Sequence, residues 1–350
     1  MDDTQGMIDR VSEAASSRRL LALRGGNTKS FYGREPVGEP LVTSNHTGIV
    51  SYEPTELVIT VRSGTRVMEI ESVLQGQRQM LAFEPPRFGD QATLGGTIAC
   101  GFSGPRRAFA GSARDFVLGV RIVNGRGEDL HFGGQVMKNV AGYDVSRLMV
   151  GAMGTLGLLL EVSLKVMPAP RMEKTLVLEV KTDKAMDIQN KWSGKPSPIS
   201  GTCHHGSLMH IRLSGSEKGV LSAQRGIGGE EIEEDGRFWS MLREQRHGFF
   251  NNKGTLWRIS VPPATPDLGF GGDCLMEWNG ALRWLVDETR AEALREIVIR
   301  AGGHAVMFRG ENREQAFHPL QGTLLKLHKN MKKAFDPEGI LNPGRMYADI

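Results

Sequence analysis

Residues 92–107 of this chain read ATLGGTIACGFSGPRR. The side chains are smaller than a surface loop needs for solubility, so we expect another group to press against this backbone. Small residues at Gly95, Gly96 and Ala99 let a flat or charged ligand approach the main chain, and phosphate is the natural ligand of such a passage. Taken alone, the same residues fit a helix packed tightly on a strand equally well, because small residues permit that too.

A second passage, RGGNT at residues 24–28, follows the apolar run 20–23 and predicts a strand that ends in a tight turn. Glycines allow positive φ and close approach of another group, and Thr28 adds a hydroxyl donor. The turn therefore suits a diphosphate, in the manner of an anion-binding nest. An ordinary turn between two strands is the alternative when this passage is taken by itself.

Further glycine-rich passages follow along the chain. They are GSARD at 111–115, NVAGYD at 139–144 leading into GAMGTLGLLLEV at 151–162, and the tail FDPEGILNPGR at 335–345. Each passage is a weak signal alone, and their order along the chain carries the interpretation.

In content and order these passages resemble the FAD-binding domain shared by vanillyl-alcohol oxidase, p-cresol methylhydroxylase and the FAD-linked 2-hydroxyacid dehydrogenases. Within that family the resemblance is strongest to the smaller FAD-binding subunits of bacterial glycolate oxidases. It rests on the compact length, GPRR at 104–107, the run 134–149 and the ending NPGR at 342–345, and it covers nearly the whole chain. It implies an α+β fold in which a two-lobed FAD-binding domain carries a smaller α+β cap domain.

The resemblance also assigns cofactor roles by position. Residues 24–28 and 94–97 would cradle the pyrophosphate, 99–104 would follow the ribityl chain and the isoalloxazine ring, and 154–160 would border the adenosine half. Asn342 and Arg345 would approach the flavin ring. The residues expected to bind FAD are Arg24, Gly25, Gly26, Asn27, Thr28, Thr93, Leu94, Gly95, Gly96, Thr97, Ala99, Gly101, Gly104, Gly111, Arg114, Asp115, Gly154, Thr155, Gly157, Leu158, Leu160, Asn342 and Arg345.

Two positions of the family pattern bear on that assignment. Some relatives attach FAD covalently through a histidine where this chain has Asn27, and an amide cannot form that bond, so we expect FAD to be held noncovalently. Tyr143 and Asp144 stand in the family's Gly-Tyr-Asp phrase and are expected to shape the flavin domain. A buried hydroxyl and a turn carboxylate are the alternative for that pair.

Composition places the chain among ordinary globular proteins. Its 350 residues, 39% of them hydrophobic, are enough for two cores. The balance of 43 Lys+Arg against 40 Asp+Glu gives a net charge of only +3, so no nucleic-acid partner is expected. Arg106-Arg107 and Lys332-Lys333 are merely pairs, which are typical of solvated faces.

The cysteines and the N-terminal residues indicate a compartment. Cys100, Cys203 and Cys274 share no close spacing, so neither a disulfide framework nor an iron–sulfur or zinc cluster is expected. The opening MDDTQ lacks an apolar core segment, and no stretch approaches the roughly 20 apolar residues that cross a bilayer. The sequence therefore predicts a cytoplasmic protein that reaches the inner membrane only through partners.

The pattern of helix, strand and turn signals divides the chain into three predicted parts. Residues 1–168 would form the FAD-binding domain in two lobes, with a helix ending at Arg19, strands at 20–23 and 57–61, and a helix at 65–75. A hairpin would join 116–123 to 129–132 through Asn-Gly-Arg-Gly at 124–127. After Pro-Ala-Pro at 168–170, residues 173–317 would form the cap, with strands at 175–180, 208–213, 255–261 and 281–285 and helices at 237–246 and 288–301. Residues 321–350 would return to the FAD domain, beginning as a helix.

The catalytic residues are less clearly indicated than the cofactor site. Flavin oxidation of a 2-hydroxy acid needs a base for the hydroxyl proton and a cation for the carboxylate. Catalytic relatives carry His-x-Gly-Asp-Gly-Asn-x-His in the second domain, and at the comparable place this chain has GGHAVMFR at 302–309. His304 is thus a candidate base or proton relay. The alternative is a partly buried, hydrogen-bonded imidazole at the start of the strand 305–308.

Arginines supply the candidates for the cation. Arg258, Arg283 and Arg309 could hold a carboxylate, because the guanidinium fork matches it bidentately. A snorkelling or interface role is the alternative for any one of them. No metal site is expected: His204, His205 and His210 have no carboxylate at ligand spacing and are interpreted as the surface of a hairpin.

The functional hypotheses differ in what the chain does with its flavin. In the first, it is one FAD subunit of a glycolate oxidase complex that oxidises glycolate to glyoxylate, together with a second, larger FAD-containing dehydrogenase subunit and an iron–sulfur subunit. In the second, favoured by the incomplete metal motif, it binds FAD but serves as an electron relay or assembly subunit. A stand-alone dehydrogenase for another hydroxy acid, such as D-lactate, would need a complete base and carboxylate clamp. Without cluster-binding cysteines, electrons would leave through another chain or an external acceptor.

Overall fold

The computed structural model describes residues 1–134, 144–193, 196–233, 236–263 and 265–350. The chain divides into two compact units. The first unit consists of Met1–Ser103, Ser112–Pro168 and Pro319–Ile350, and the second of Gly104–Gly111 and Ala169–His318. The first unit is therefore discontinuous in sequence. It is interrupted by a short segment, Gly104–Gly111, that belongs to the second unit.

The described residues form α-helices of widely different length. They are α1 (Thr4–Ser17), α2 (Val67–Gly76), α3 (Leu94–Cys100), α4 (Arg107–Ala110), α5 (Ala113–Phe116), α6 (Val145–Leu148), α7 (Thr182–Ser193), α8 (Glu217–Ile227), α9 (Arg237–Arg243), α10 (Ala291–Arg300) and α11 (Gly322–Phe335). Short 3₁₀ helices lie at Gly248–Asn251, Trp278–Gly280 and Arg313–Gln315.

The strands are mostly short. They are β1 (Leu21–Arg24), β2 (Glu39–Val42), β3 (Ile49–Glu53), β4 (Val58–Arg62), β5 (Gln79–Met80), β6 (Val117–Val123), β7 (Asp129–Gly133), β8 (Leu158–Lys165), β9 (Met167–Pro168), β10 (Met172–Glu179), β11 (Ile199–His205), β12 (Leu208–Gly215), β13 (Glu230–Ile232), β14 (Leu256–Ser260), β15 (Asp273–Glu277), β16 (Leu282–Val286) and β17 (His304–Arg309).

The first unit is built on a five-stranded sheet in the order β3-β4-β8-β6-β7, whose neighbouring strands are all antiparallel. The predicted hairpin is confirmed, since β6 pairs with β7 from Gly119 opposite Gly133 to Val123 opposite Asp129. Asn124 closes its turn: the Oδ1 atom accepts hydrogen bonds from the backbone N–H groups of Arg126 (2.9 Å) and Glu128 (3.1 Å).

A second sheet of the first unit, the parallel pair β1–β2, anchors the C-terminal residues. The N–H of Leu21 donates to Ile340 O (2.8 Å), and the N–H of Asn342 donates back to Leu21 O (2.9 Å). Met7, Val11 and Ala14 form one face of α1, at the i, i+4, i+7 spacing of a helix stripe, and pack in the core cluster that contains Leu21. Burial of that face and the bonds to Leu21 together hold the tail against β1.

Lys332 near the end of α11 fixes the same tail from the other side. Its ammonium donates to Thr155 O (2.9 Å), Leu341 O (2.7 Å) and Asp336 Oδ2 (2.7 Å). The Asp336 carboxylate in turn accepts from the N–H groups of Ile340 (3.0 Å) and Leu341 (2.8 Å). Burial lowers the pKa of Lys332, and the charge of Asp336 opposes that shift. A buried pair of this kind is costly to break, because removing one partner leaves the other charge without compensation.

The second unit is built on an eight-stranded sheet in the order β13-β10-β12-β11-β15-β16-β14-β17 with antiparallel neighbours. Side chains alternate between its two faces. One face carries the apolar clusters shared with α7, α8 and α10 and is here termed the helical face. The other, termed the aromatic face, carries His210, Arg258, Trp284, His304 and Phe308. There Phe238 of α9 stacks on His210, with ring centroids 3.8 Å apart, and Phe250 packs on Trp284 at 5.6 Å.

Most elements predicted from the sequence are found, with ends shifted by a few residues. The helix ending near Arg19 is α1, the strand 57–61 is β4, and the strands of the cap correspond to β10, β12, β14 and β16. The helix expected at 288–301 is α10, which begins three residues later at Ala291. Asn139, Gly142 and Tyr143 of the NVAGYD passage lie outside the described residues, whereas Asp144 caps α6 by accepting from Arg147 N–H (3.2 Å).

Candidate cofactor-binding cleft

Two adjoining cavities of the first unit form a cleft beside β1. One, with about 610 Å³ of empty space that includes open solvent, is lined by the loop after β1 and by Arg345; the other, with about 390 Å³ of such space, is lined by Ser63 and the loop before β8. They are termed the Lys29 cavity and the Ser63 cavity. Both are bordered by Leu23, Arg24, Gly25, Gly96, Ala99, Met153 and Asn342. Because these residues border both cavities, the two form one continuous cleft, which suits a long ligand that occupies both.

The loop after β1 can form only with glycine at its start. A methyl group on Gly26 would collide with the carbonyl oxygen of Gln91, and one on Gly25 with the hydroxyl of Thr93. Asn27 has φ 58°, a left-handed conformation that asparagine tolerates better than most residues. Thr28, expected to offer its hydroxyl to a ligand, donates it to Arg87 O (2.7 Å). The loop therefore presents mainly backbone to the cleft.

The small residues at 92–107 serve both predicted roles: they pack a helix tightly against its neighbours, and they line the cleft. Thr93 caps α3, and its Oγ1 accepts from the N–H groups of Gly96 and Gly26, each at 3.4 Å. A Cβ on Gly95 would lie 2.7 Å from the Cβ of Ser63, so α3 and the turn after β4 approach closely there. Gly96 and Ala99 line the cleft. Tight packing on one side of α3 thus brings its other side to the ligand.

Several polar atoms of this region are buried without a partner among the described residues: Arg24 Nε, Ser63 Oγ and Thr97 Oγ1. Arg24 and Ser63 line the cleft itself. A buried polar group left unsatisfied costs about 1–3 kcal/mol. A ligand rich in oxygen acceptors would satisfy these donors, and the diphosphate, ribityl and ribose groups of FAD supply such acceptors, so the residues present fit FAD.

Buried positive charge also suits a diphosphate here. Lys29 and Arg345 are each only 7% exposed and line the Lys29 cavity. Cys100 lines the same cavity, and burial raises the pKa of its thiol, an effect that the charges of Lys29 and Arg345 partly offset. The thiol is therefore neutral near pH 7 and adds no negative charge to the cavity.

Asn342 positions the far side of the cleft. Its Oδ1 accepts from Leu23 N–H (2.7 Å) and its Nδ2 donates to Met153 O (2.7 Å), while its backbone has φ 44°. The side chain thus ties β1 and the loop before β8 to the tail. Any contact of Asn342 with the flavin remains a prediction, since the amide already serves this scaffold.

The other residues expected at the cofactor are found in varied places. Gly154, Gly157 and Leu158 line the Ser63 cavity. Leu94, Thr155 and Leu160 are buried, and Thr155 and Leu160 offer main-chain carbonyls to Lys332 and to the N–H of Ser63. Gly101 ends α3 with φ 66°.

Four more residues expected at the cofactor lie in or near the segment Gly104–Gly111 and have local roles there. Gly104 and Gly111 belong to the second unit, where Gly104 O accepts from Trp278 Nε1 (3.0 Å). Arg114 is an exposed residue of α5. Asp115 closes the cap of that helix by accepting from the N–H of Ser112 (2.8 Å).

Sequence reasoning missed Ser63 and Lys29 as residues that line the cleft. Ser63 follows β4 in the small-residue turn Ser-Gly-Thr at 63–65, and a turn directly after a buried strand was the available signal. Lys29 follows the glycine turn by one residue, and only its burial distinguishes it from an ordinary surface lysine.

The catalytic candidates fall on different faces of the sheet in the second unit. Arg258 and His304 lie on the aromatic face, since Arg258 is opposite Trp284 and Ser260 is opposite His304. Arg309 ends β17. Arg283 lies on the helical face, buried, and its guanidinium donates to Gly280 O (3.2 Å), Pro266 O (2.8 Å) and Thr265 O. That bonding gives Arg283 a structural role within the unit.

The histidines interpreted as a hairpin surface are only partly exposed. Their hairpin is present as β11–β12. His204, however, is 1% exposed and bonded to Val180 O (2.9 Å), and the ring of His210 stacks on Phe238. The expectation of a surface position is thus wrong for His204, whose side chain points to the helical face, whereas those of His205 and His210 point to the aromatic face. Among the described residues, no group of three or more His, Cys, Asp or Glu side chains is placed to hold a metal.

No helix within the described parts of the chain combines the length and the apolarity needed to cross a membrane.

Comparisons with known proteins agree with the interpretation of the cleft as an FAD site. The family model of the FAD binding domain matches residues 2–133, and that of the C-terminal domain of FAD linked oxidases matches residues 310–346. A solved structure of alkyldihydroxyacetonephosphate synthase superposes with a TM-score of 0.68 at 16% identity, over 96% of this chain and 74% of that one. These matches confirm the α+β fold and give FAD as the cofactor of the chain.

Two curated relatives differ in how much of the chain they share. The glycolate oxidase subunit GlcD of Bacillus subtilis (strain 168) is 32% identical over 174 residues, 49% of this chain and 37% of that protein. The glycolate oxidase subunit GlcE of Escherichia coli (strain K12) is 47% identical over 349 residues, 100% of this chain and 99% of the relative. Similarity of that extent shows that the chain belongs to the family of the glycolate oxidase subunit GlcE, within the FAD-linked oxidases.

Proposed function

We propose that this chain is an FAD-binding subunit of a glycolate oxidase complex, which oxidises glycolate to glyoxylate. The observation that carries the proposal is the 47% identity with GlcE over essentially the whole of both chains. In the complex it acts with a second, FAD-containing dehydrogenase subunit, and an iron–sulfur subunit receives the electrons.

The chain's own residues hold the cofactor. Arg24, the N–H groups of the loop after β1 and the buried charge of Lys29 bind the diphosphate and keep FAD noncovalently in place, and Arg345 approaches the flavin ring. The amide of Asn27 leaves no histidine at that position for a covalent link. When bound, FAD supplies the two-electron acceptor for oxidation of the hydroxy acid.

The residues of the second unit handle the substrate. His304 begins β17 and remains accessible to solvent, while partial burial of its ring and the charges of Arg258 and His318 lower its pKa. The imidazole is therefore neutral near pH 7 and able to accept the hydroxyl proton. A cation on the same face would hold the carboxylate.

An assembly or relay role without substrate chemistry is the second candidate. It is favoured by residues 302–309, where His304 stands alone of the family's His-x-Gly-Asp-Gly-Asn-x-His pattern. In both versions the electrons leave through another chain or an external acceptor.

The visible spectrum of the purified chain separates these functions. Flavin absorption that bleaches on anaerobic addition of glycolate makes the chain a dehydrogenase in its own right. Absorption that bleaches only after the partner subunits are added makes it a relay or assembly subunit. A chain that purifies without flavin and takes up none when FAD is added contradicts the proposal altogether.

A further inference from the structure

We propose that Arg258 binds the carboxylate of the hydroxy acid, that Trp278 is the positioning residue that holds Arg258 for this task, and that Arg107 adds a second positive charge. The proposal rests on the proposed function, because it takes a 2-hydroxy acid to be the substrate. All three residues belong to the second unit.

The backbone at Trp278 is held in a conformation that its sequence does not favour. Trp278 and Asn279 have φ of 54° and 55°, both in the left-handed region, and Gly280 follows at 79°. A residue with a Cβ adopts this region at a cost in free energy, and such outliers concentrate at functional sites. Two consecutive residues with positive φ, one of them a tryptophan, indicate that the position of the indole offsets the cost of the strained backbone.

Hydrogen bonds hold that turn and the ring it carries. The indole N–H of Trp278 donates to Gly104 O (3.0 Å). Asn279 is fixed by Thr202, whose Oγ1 donates to Asn279 Oδ1 (3.1 Å) and accepts from Asn279 N–H (3.0 Å). With only 3% of Trp278 exposed, the ring is a rigid platform, and a group stacked on it loses little further freedom on binding a ligand.

Two guanidinium groups use this platform. The Cζ atom of Arg107 lies 4.4 Å from a ring centroid of Trp278, and that of Arg258 lies 5.2 Å from one. Each contact is a cation–π interaction, which favours a fixed guanidinium plane. Two cations on one indole lie within about 10 Å of each other, a Debye length at 0.1 M salt, so the fields of the two charges overlap.

The sheet register places a proton acceptor near Arg258. Ser260 is directly opposite His304 across β14 and β17, and Arg258 is two residues before Ser260 on the same face. Diagonal neighbours of this kind lie about 7–8 Å apart at Cα, within reach of a long side chain. A 2-hydroxy acid carries its carboxylate and hydroxyl on adjacent carbons, so a guanidinium and an imidazole at this spacing match the two ends of the molecule.

The other arginines serve this role less well. The guanidinium of Arg283 lies on the helical face and bonds main-chain carbonyls of its own unit. Arg309 stacks on Phe308, its neighbour in sequence, and the strand pairing places it opposite Leu256, at the far end of β14 from Ser260 and His304. Arg258 is thus the candidate that shares both a face and a near register with His304.

The test is titration of the FAD-loaded chain with oxalate, a carboxylate that flavin does not oxidise, followed by calorimetry. Arg258→Lys keeps the charge but loses the fork, and we expect the affinity to fall about tenfold or more. Trp278→Leu should weaken oxalate to a similar extent and Trp278→Phe less, because phenylalanine keeps a ring. Arg107→Gln should cost only about two- to threefold, and that loss should vanish at 1 M salt, where the Debye length is about 3 Å.

Controls separate this inference from the function on which it rests. Arg300→Gln, on the exposed surface of α10 in the same unit, should bind oxalate like the parent chain. Oxalate affinity unchanged in both Arg258→Lys and Trp278→Phe overturns the inference, as does inorganic phosphate binding as tightly as oxalate. FAD retained without oxalate binding refutes the carboxylate site alone, whereas failure to retain FAD refutes the proposed function.

A kinetic measurement on the assembled complex distinguishes positioning from folding. Trp278→Phe should raise KM for glycolate and leave kcat near that of the parent, because a displaced Arg258 weakens binding before chemistry. A fall in kcat with an unchanged KM contradicts the inference.

Discussion

The cleft of the first unit is formed mainly by main chain, whereas the aromatic face of the second unit is formed by side chains. In the cleft, glycines and main-chain N–H groups form the walls, and Gly26 cannot carry even a methyl group. On the aromatic face, side chains from separate strands form the surface, and Arg258, Trp284 and His304 meet through sheet register. A surface of backbone tolerates few substitutions, whereas a surface of side chains can change its chemistry while the sheet stays the same. Under the proposed function, we therefore expect the first unit to keep its cofactor and the second to be able to vary its substrate.

The largest effect on FAD retention is expected at the turn that only glycine fits. Gly26→Ala forces the backbone of Gln91 to move, which should destabilise the protein by about 3 kcal/mol or more and abolish FAD retention. The ratio of FAD to protein after gel filtration, with thermal unfolding, measures both. Gly226→Ala in α8, where an added Cβ meets nothing within 4 Å, is the matched control and should be neutral or slightly stabilising. Equal FAD content in the two variants would refute the backbone account of the cleft.

Removal of the buried lysine should come next. Lys332→Met leaves the Asp336 carboxylate buried without its partner, at a cost of about 3–5 kcal/mol in the free energy of unfolding. FAD affinity should fall as well, because Lys332 holds the tail that carries Asn342. Lys333→Met, at the exposed neighbouring position, should change neither quantity by more than about 0.5 kcal/mol. Denaturant titration with and without FAD is the measurement, and similar behaviour of the two variants would contradict the anchoring role.

On the aromatic face the expected sensitivity is to pH. Burial, aided by the charge of His247, lowers the pKa of His210 to about 4 from its ordinary 6.5. The unfolded chain then binds more protons between these values, so the stability contributed by neutral His210 is complete above pH 6.5 and is lost as the pH falls toward 4. We expect a loss of about 1–3 kcal/mol between pH 7 and pH 4.

His210→Phe should flatten that dependence while it keeps the stack on Phe238. His247 packs against the same aromatic cluster, and burial also lowers its pKa, so a residual slope from His247 is expected. Unfolding curves for both chains at several pH values decide the matter, and identical slopes would exclude His210 as the source.

The smallest effect is expected at Ser63. Ser63→Ala removes a hydroxyl that has no partner among the described residues, so the FAD-free protein should be unchanged or slightly more stable. If the hydroxyl bonds FAD, affinity for the cofactor should fall about five- to tenfold. Ser222→Ala, exposed on α8, is the control. Equal FAD affinity in the two variants would show that Ser63 lines the cleft without bonding its ligand.

The same contrast explains how much the sequence could predict. Glycine turns and Asn-Gly hairpins are local, so the loop after β1, the β6–β7 hairpin and the tail at 335–345 were all visible as patterns. Residues that act through register were not. Nothing local to Arg283 indicates the face on which it lies, and nothing local to 104–111 shows that these residues join the second unit. Trp278 owes its position to bonds with Gly104 O and with the turn around Asn279, which no linear pattern records.

The tail closes the cleft with a consequence for biosynthesis. Leu23 and Asn342, which bond at 2.7 Å, are separated by 319 residues. At about 5–20 residues per second, a ribosome needs on the order of 15–60 s to make the second after the first. For that interval the loop after β1 exists without the residues that fix it, and the whole second unit is synthesised before the cleft can close. The cleft is therefore complete only after residue 342 has been made, and we expect full FAD affinity only from then on.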